Sequence, residues 1–145
     1  MPAATITLAH TDPDITRCFP VMLQLRPHLV ETEFVARVRD QQAQGFQLAF
    51  ATDGSGAVRS VAGFRIMELL FSGRTCYVDD LITDANCRSQ GFGDQLFDWL
   101  VGRARSEGCA MFSLDSGTQR VDAHRFYLRK RMKIASFHFL LPLHS

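Results

Sequence analysis

Arg88-Ser89-Gln90-Gly91-Phe92-Gly93 stands where an apolar strand pattern gives way to an amphipathic helix pattern. A helix start gathers unpaired backbone N–H groups and the positive end of the macrodipole in one spot, a combination that suits a phosphate-bearing ligand. The two glycines let the backbone approach such a ligand closely. Further along, the segment Ala123-His124-Arg125-Phe126-Tyr127 carries a tyrosine on a later helix. A phenol with an ordinary pKa of about 10 stays protonated at neutral pH and can donate to a departing group. Phosphate capture joined to a proton donor points to group transfer from a phosphorylated carrier.

A lone Gly-x-Gly has several possible owners, and the neighbouring residues remove the commoner ones. A dinucleotide fingerprint needs glycine or alanine at the position of Leu96, and a Gly-Lys-Ser/Thr phosphate loop needs a lysine that is absent. What remains is Gln/Arg-x-x-Gly-x-Gly/Ala, with Arg88 first and Gly91 and Gly93 following. His124 lies three residues before Tyr127, on a neighbouring helical position, and an imidazole pKa of about 6.5 suits a general base. The run Arg125, Arg129, Lys130, Arg131 and Lys133 reads as a solvated helix end complementing the dipole; contact with a ligand phosphate is the alternative. Cys87, beside Arg88, is open to a lowered thiol pKa, although nothing here requires a cysteine nucleophile.

The elements that must position these groups are legible from periodicity. Thr5 to Ala9 alternates as a short strand, and Thr11-Asp12-Pro13 supplies a cap and first turn for a helix that Pro20 should kink or interrupt. A second helix is predicted from Glu31 to Gln44, stopped by Gly45. Strands follow over Phe46 to Thr52, Val58 to Leu70 and Thr75 to Thr83, joined by glycine turns as an antiparallel meander that ends above the glycine loop. Gln90 to Glu107 is a helix with Phe92, Leu96, Leu100 and Ala104 on one stripe. Met111 to Leu114 is a strand in parallel pairing with the one before, Val121 to Arg129 a helix, and Ile134, Phe137, Phe139 and Leu141 mark a last strand. The order β-α-α-β-β-β-α-β-α-β is an α/β (α+β) arrangement, a mixed, mostly antiparallel sheet with helices.

With 145 residues the chain is read as one domain that can bury a core unaided. A formal net charge of +1 gives no support for nucleic acid or a polybasic membrane anchor as a partner. Cysteines 18, 76, 87 and 109 form no Cys-x-x-Cys pair, so neither a metal site nor a disulfide framework is expected. A soluble, reduced cytoplasmic setting follows as the expectation.

Taken together, the loop, the element order and the Phe-Tyr pair resemble the GNAT superfamily of N-acetyltransferases, most strongly between Tyr77 and Met132. The resemblance implies that acetyl-coenzyme A is the cosubstrate. It places Leu81, Ile82 and Thr83 along the pantetheine arm, Arg88, Ser89, Gln90, Gly91, Phe92, Gly93 and Asp94 around the phosphates, and Phe126 as a further coenzyme contact. It makes Tyr127 the donor to the coenzyme thiolate. Tyr77-Val78-Asp79-Asp80-Leu81 resembles the strand where several members carry a glutamate followed by an aspartate, which makes Asp79 the candidate base. Successive strand residues point to opposite faces, so only one of Asp79 and Asp80 faces the site unless a bulge intervenes. The implied reaction is direct acetyl transfer in a ternary complex to a primary amine, either a small molecule or a lysine side chain. The segment Leu25-Arg26-Pro27-His28 and the first two helices would shape the acceptor pocket. A homodimer is the expected assembly. The rival class is a non-catalytic acyl-coenzyme A sensor with the same fold. One departure is visible: Arg131-Met132 stands where many members have a glycine turn.

Overall fold

A computed structural model describes residues 3–144. The elements are β1 (Thr5–Leu8), α1 (Asp12–Leu25), α2 (Glu31–Gln42), β2 (Phe46–Thr52), β3 (Val58–Leu69), β4 (Gly73–Thr83), a 3-10 turn (Ala85–Cys87), α3 (Phe92–Ser106), β5 (Met111–Leu114) and α4 (Val121–Arg129). The chain divides into two compact units, one through Ser113 and one from Leu114.

In the first unit the strands lie in sequence order, β1-β2-β3-β4-β5, and the pairs β1–β2, β2–β3 and β3–β4 are antiparallel. Short glycine turns account for the β2–β3 and β3–β4 neighbours, because a hairpin needs only a few residues, whereas β1 reaches β2 through α1 and α2 and β4 reaches β5 through α3. α1 and α2 cover one face. Ile15, Phe19 and Met22 of α1 and Phe34 and Val38 of α2 join Leu48, Phe50, Val61 and Ile82 in one buried cluster, with Phe19 and Phe34 edge-to-face at 5.2 Å. α3 covers the other face, where Phe64 meets Trp99 at 6.1 Å and the Ser60 hydroxyl donates to the Phe92 carbonyl over 3.2 Å. Burial on both faces explains why the centre of β3 reads as a nearly continuous apolar run. Each fully buried leucine or phenylalanine in these layers contributes about 1.5–3 kcal/mol.

Three expectations change. α1 runs unbroken through Pro20, whose ring lies on the exposed side where the lost N–H costs least. α3 starts at Phe92 instead of Gln90, because Ser89 and Gly91 take left-handed backbone angles (φ 67° and 89°) that no helix accommodates. The final strand does not form: among the described residues none beyond Leu114 is in a strand, and Ile134, Phe137, Phe139 and Leu141 are exposed. A strand needs a backbone partner as well as an alternating pattern, and this segment has the pattern alone.

Candidate active site

The loop between β4 and α3 is anchored at its entry. The Asp84 carboxylate accepts from the Asn86 amide (3.1 Å) and from Gln24 Nε2 (3.2 Å), and Arg59 lies 3.5 Å away. These contacts hold its pKa below the usual carboxylate range, the Asn86 bond contributing most. Gln24 Oε1 accepts in turn from the Ala85 amide at 2.9 Å. Beyond this anchor the chain is extended at Arg88, left-handed at Ser89 and left-handed again at Gly91, which is the N-cap of α3 and brings no side-chain cap to it. Arg88, Ser89 and Gln90 are exposed, while Phe92 is only 2% exposed, so its side chain belongs to the core and only its backbone is left to face a ligand.

Gly93 packs against the end of β4: a Cβ there would sit 2.5 Å from Thr83 Oγ1. That close approach, the uncapped helix end and the two left-handed residues fit the diphosphate of a phosphorylated carrier. Gly93→Val is expected to weaken acetyl-coenzyme A binding about tenfold, since relieving the clash must displace either Thr83 or the loop. Titration calorimetry on the folded variant checks it, and unchanged affinity removes the loop from the site. Burial, helped by the Asp84 carboxylate, pushes the Cys87 thiol pKa up and outweighs the opposing Arg59 guanidinium, in line with a cysteine that the chemistry does not require as a nucleophile.

Along β4 the register holds the main surprise. Gly63 pairs with Asp80 and Phe64 with Val78, so Asp79 is an extra residue, a β-bulge. Strict alternation would send Asp79 and Asp80 to opposite faces; the bulge turns both toward α1 and α2. Arg26, the C-cap residue of α1, donates from Nε to Asp80 Oδ1 and from Nη2 to the Asp79 carbonyl, each over 2.9 Å. Arg65 of β3 grips the Asp79 carboxylate, with Nη2 to Oδ2 at 2.7 Å and Nε about midway between both oxygens at 3.1 Å. Its other reach is to Gln41 Oε1 on α2, 3.4 Å away.

The two carboxylates therefore differ. Each is paired with a guanidinium, Asp79 with Arg65 and Asp80 with Arg26, but it is Asp80 that lines a cavity of about 240 Å³ between the β-sheet and the first two helices. Burial raises the Asp80 pKa above the usual range despite the Arg26 pair, because desolvation of the charged form outweighs the attraction. Apolar Met22, Leu29, Phe34 and Val38 share this cavity with Arg26, His28, Arg37 and Gln41. Gly63 makes room for Asp80: a Cβ at that position would lie 2.5 Å from Asp80 Oδ2 and against the Phe46 ring. The available signal for this arrangement was a glycine within a strand opposite an Asp-Asp pair, a common mark of a bulge.

The second unit holds the other group. Tyr127 and Phe126 stand edge-to-face with centroids 5.6 Å apart, and the Arg129 guanidinium and Lys130 ammonium lie 5.9 and 5.8 Å from the Phe126 ring. Burial raises the Tyr127 phenol pKa, with Arg120 opposing weakly, so the hydroxyl stays protonated at neutral pH. His124 Nε2 donates to the Gly117 carbonyl over 2.8 Å, a bond that ties α4 to the loop before it and occupies that nitrogen. At the other end of α4, Arg131 takes the left-handed angle (φ 67°) in place of the usual glycine, and the Met132 amide closes the helix on the Tyr127 carbonyl at 3.1 Å. The missing glycine leaves the turn intact.

Comparison with known proteins places the family and the fold. A model of the acetyltransferase (GNAT) family matches residues 11–132. An uncharacterized N-acetyltransferase, YhdJ, of Bacillus subtilis is 34% identical over 126 residues, covering 86% of this chain and 89% of that protein. The aminoalkylphosphonate N-acetyltransferase of Salmonella typhimurium is 37% identical over 66 residues, 46% of this chain and 43% of that one. Among solved structures, AAC(6')-Iy in complex with the bisubstrate analogue CoA-S-monomethyl-acetylneamine has a TM-score of 0.83 at 13% identity, with 99% of each chain covered, a likeness of fold.

Proposed function

Since the chain belongs to the GNAT acetyltransferase family and acetyl-coenzyme A is its cosubstrate, we propose that it acetylates a small primary amine carrying an acidic group, by direct transfer in a ternary complex. Both units act as one catalytic domain, a reading supported by the family match running across their boundary. The coenzyme supplies an acetyl thioester and a thiol leaving group. Leu81, Ile82 and Thr83 offer strand backbone to its arm. Arg88 through Asp94 hold its phosphates, and Phe126 is a further contact.

Asp80 is the base in this reading. An acceptor amine is protonated at neutral pH and must lose a proton before its nitrogen can bond to the acetyl carbon. Asp80, facing the cavity with a raised pKa, accepts that proton, directly or through a water. Asp79, the residue that family likeness favours, is engaged by Arg65 and positions its neighbour through the bulge. As the carbon–sulfur bond breaks, Tyr127 gives its proton to the thiolate.

The observation that carries the acceptor class is the charge of the cavity rim. Arg26 and Arg65 are neutralised by Asp80 and Asp79, but among the described residues no salt bridge joins a carboxylate to Arg37, an exposed residue that lines the same cavity as His28. An unneutralised guanidinium there suits a carboxylate, phosphonate or phosphate on the acceptor. The name of the Salmonella relative describes an acceptor of that chemistry. Coenzyme release measured with paired amines, aminoalkyl phosphonates against plain alkylamines of equal length, tests it. The acidic series is expected to have the higher kcat/KM, and Arg37→Gln to raise its KM about tenfold with kcat little changed. Equal turnover of both series would remove the acidic group from the proposal, and no turnover of any amine would remove the amine.

A further inference from the structure

We propose that Gln24 is a positioning residue for coenzyme binding: its side-chain amide locks the turn that aims the glycine loop, so the last turn of α1 serves both substrates. The proposal rests on the reading that Arg88 to Asp94 hold the coenzyme phosphates. The turn Ala85–Cys87 joins β4 to that loop and is too short to fix its own direction, its internal bond running from the Cys87 amide to the Asp84 carbonyl at 3.0 Å. Its first two amides are taken by side chains instead. Asn86 donates to the Asp84 carboxylate over 3.1 Å, and Ala85 donates to Gln24 Oε1 over 2.9 Å, across 61 positions of the chain. Gln24 Nε2 closes the fork by donating to Asp84 Oδ1 at 3.2 Å. One carboxamide thus meets an N–H that can only donate and a carboxylate that can only accept, which fixes its orientation. Neither a carboxylate nor an ammonium could serve both partners.

On the other flank, the Asp84 amide donates to the Arg59 carbonyl over 2.8 Å, and Arg59 Nη1 stands 3.5 Å from the Asp84 carboxylate while its Nε holds Asp53 at 2.7 Å. β3 therefore fixes one side of the turn and α1 the other. Two residues on, Arg26 donates to Asp80 at 2.9 Å, so a single helix end touches both the entry of the glycine loop and the carboxylate that lines the acceptor cavity. Gln24 is exposed, whereas α1 buries Ile15, Cys18, Phe19, Val21 and Met22. Removing its amide leaves that core whole and frees the turn to take other directions. The fraction of chains with the loop in its binding form then falls, and the apparent Kd rises in proportion.

Gln24→Ala is expected to raise the Kd for acetyl-coenzyme A about fivefold in titration calorimetry, with kcat at saturating coenzyme and the urea midpoint little changed. Gln24→Glu is expected to cost more, about twentyfold, because two carboxylates then face each other across the fork. Exchanging the partners, Gln24→Glu with Asp84→Asn, returns a donor to one side and an acceptor to the other and is expected to restore affinity to within about twofold of wild type. Wild-type affinity in Gln24→Ala overturns the proposal, as does a double variant no better than Gln24→Glu alone. A loss of affinity that follows a falling urea midpoint overturns it too, since Gln24 would then only prop the fold. Gly93→Val in the same assay separates the lock from the loop reading. If it weakens binding while the Gln24 variants do not, only the lock falls; if none of the three weakens binding, the loop reading falls with it.

Discussion

Asp80→Asn is expected to lower kcat on the order of 10²-fold and to abolish the acidic limb of the pH–rate profile. The sign follows from burial. Asp80 works as a base only when ionised, and desolvation raises its pKa, so activity climbs with pH at a point displaced above the ordinary carboxylate range. An amide cannot take up the proton, and the limb disappears with it. Stability moves the other way. Between the ordinary and the raised pKa the folded chain holds a proton that the unfolded chain has released, so the Asp80 contribution falls as pH rises through that window. The asparagine variant should lose this dependence, readable in urea midpoints against pH. Asp79→Asn is the informative partner. It frees Arg65 and lowers the rate, yet keeps the acidic limb. If instead Asp79→Asn removes the limb and Asp80→Asn spares it, the two roles are reversed.

Tyr127→Phe is expected to lower kcat on the order of 10²-fold while leaving the Kd for acetyl-coenzyme A unchanged. The ring stays, with its edge-to-face contact to Phe126, and only the hydroxyl goes. Burial keeps that hydroxyl protonated beyond neutral pH, so the loss should be nearly constant from pH 6 to 8. Single-turnover kinetics separate the chemical step from release. Full activity in the variant would remove Tyr127 as the acid. The same substitution in a chain already carrying Asp80→Asn should cost less than it does alone, as expected of two groups that serve one step.

The parts legible in the sequence are those set by local chemistry. Thr11 and Pro13 start α1, Gly45 follows α2 with φ at +94°, and the glycine turns force the meander. The glycine loop was also readable: Gly91 takes a left-handed angle that the local backbone needs, and Gly93 lets α3 start close against Thr83 at the end of β4. Pattern misled where tertiary partners decide. Residues 134–143 alternate as a strand should, and nothing in the alternation reveals whether an edge lies within reach. Arg131 takes up the left-handed turn without the glycine that local preference favours, because the hydrogen bonds closing α4 over-determine that angle.

By itself, then, the sequence determined the order of the elements from β1 to α4 and the place of the glycine loop between β4 and α3, since these rest on interactions spanning a few residues. Family likeness further made Tyr127 the candidate proton donor. Only the tertiary structure decided between Asp79 and Asp80 as the carboxylate facing the cavity. Their difference comes from one extra residue in the β3–β4 register, from Arg65 and Arg26 arriving out of β3 and α1, and from the desolvation that α1 and α2 impose. Burial and pairing between residues far apart in the chain are properties of packing, and no spacing of letters encodes them directly.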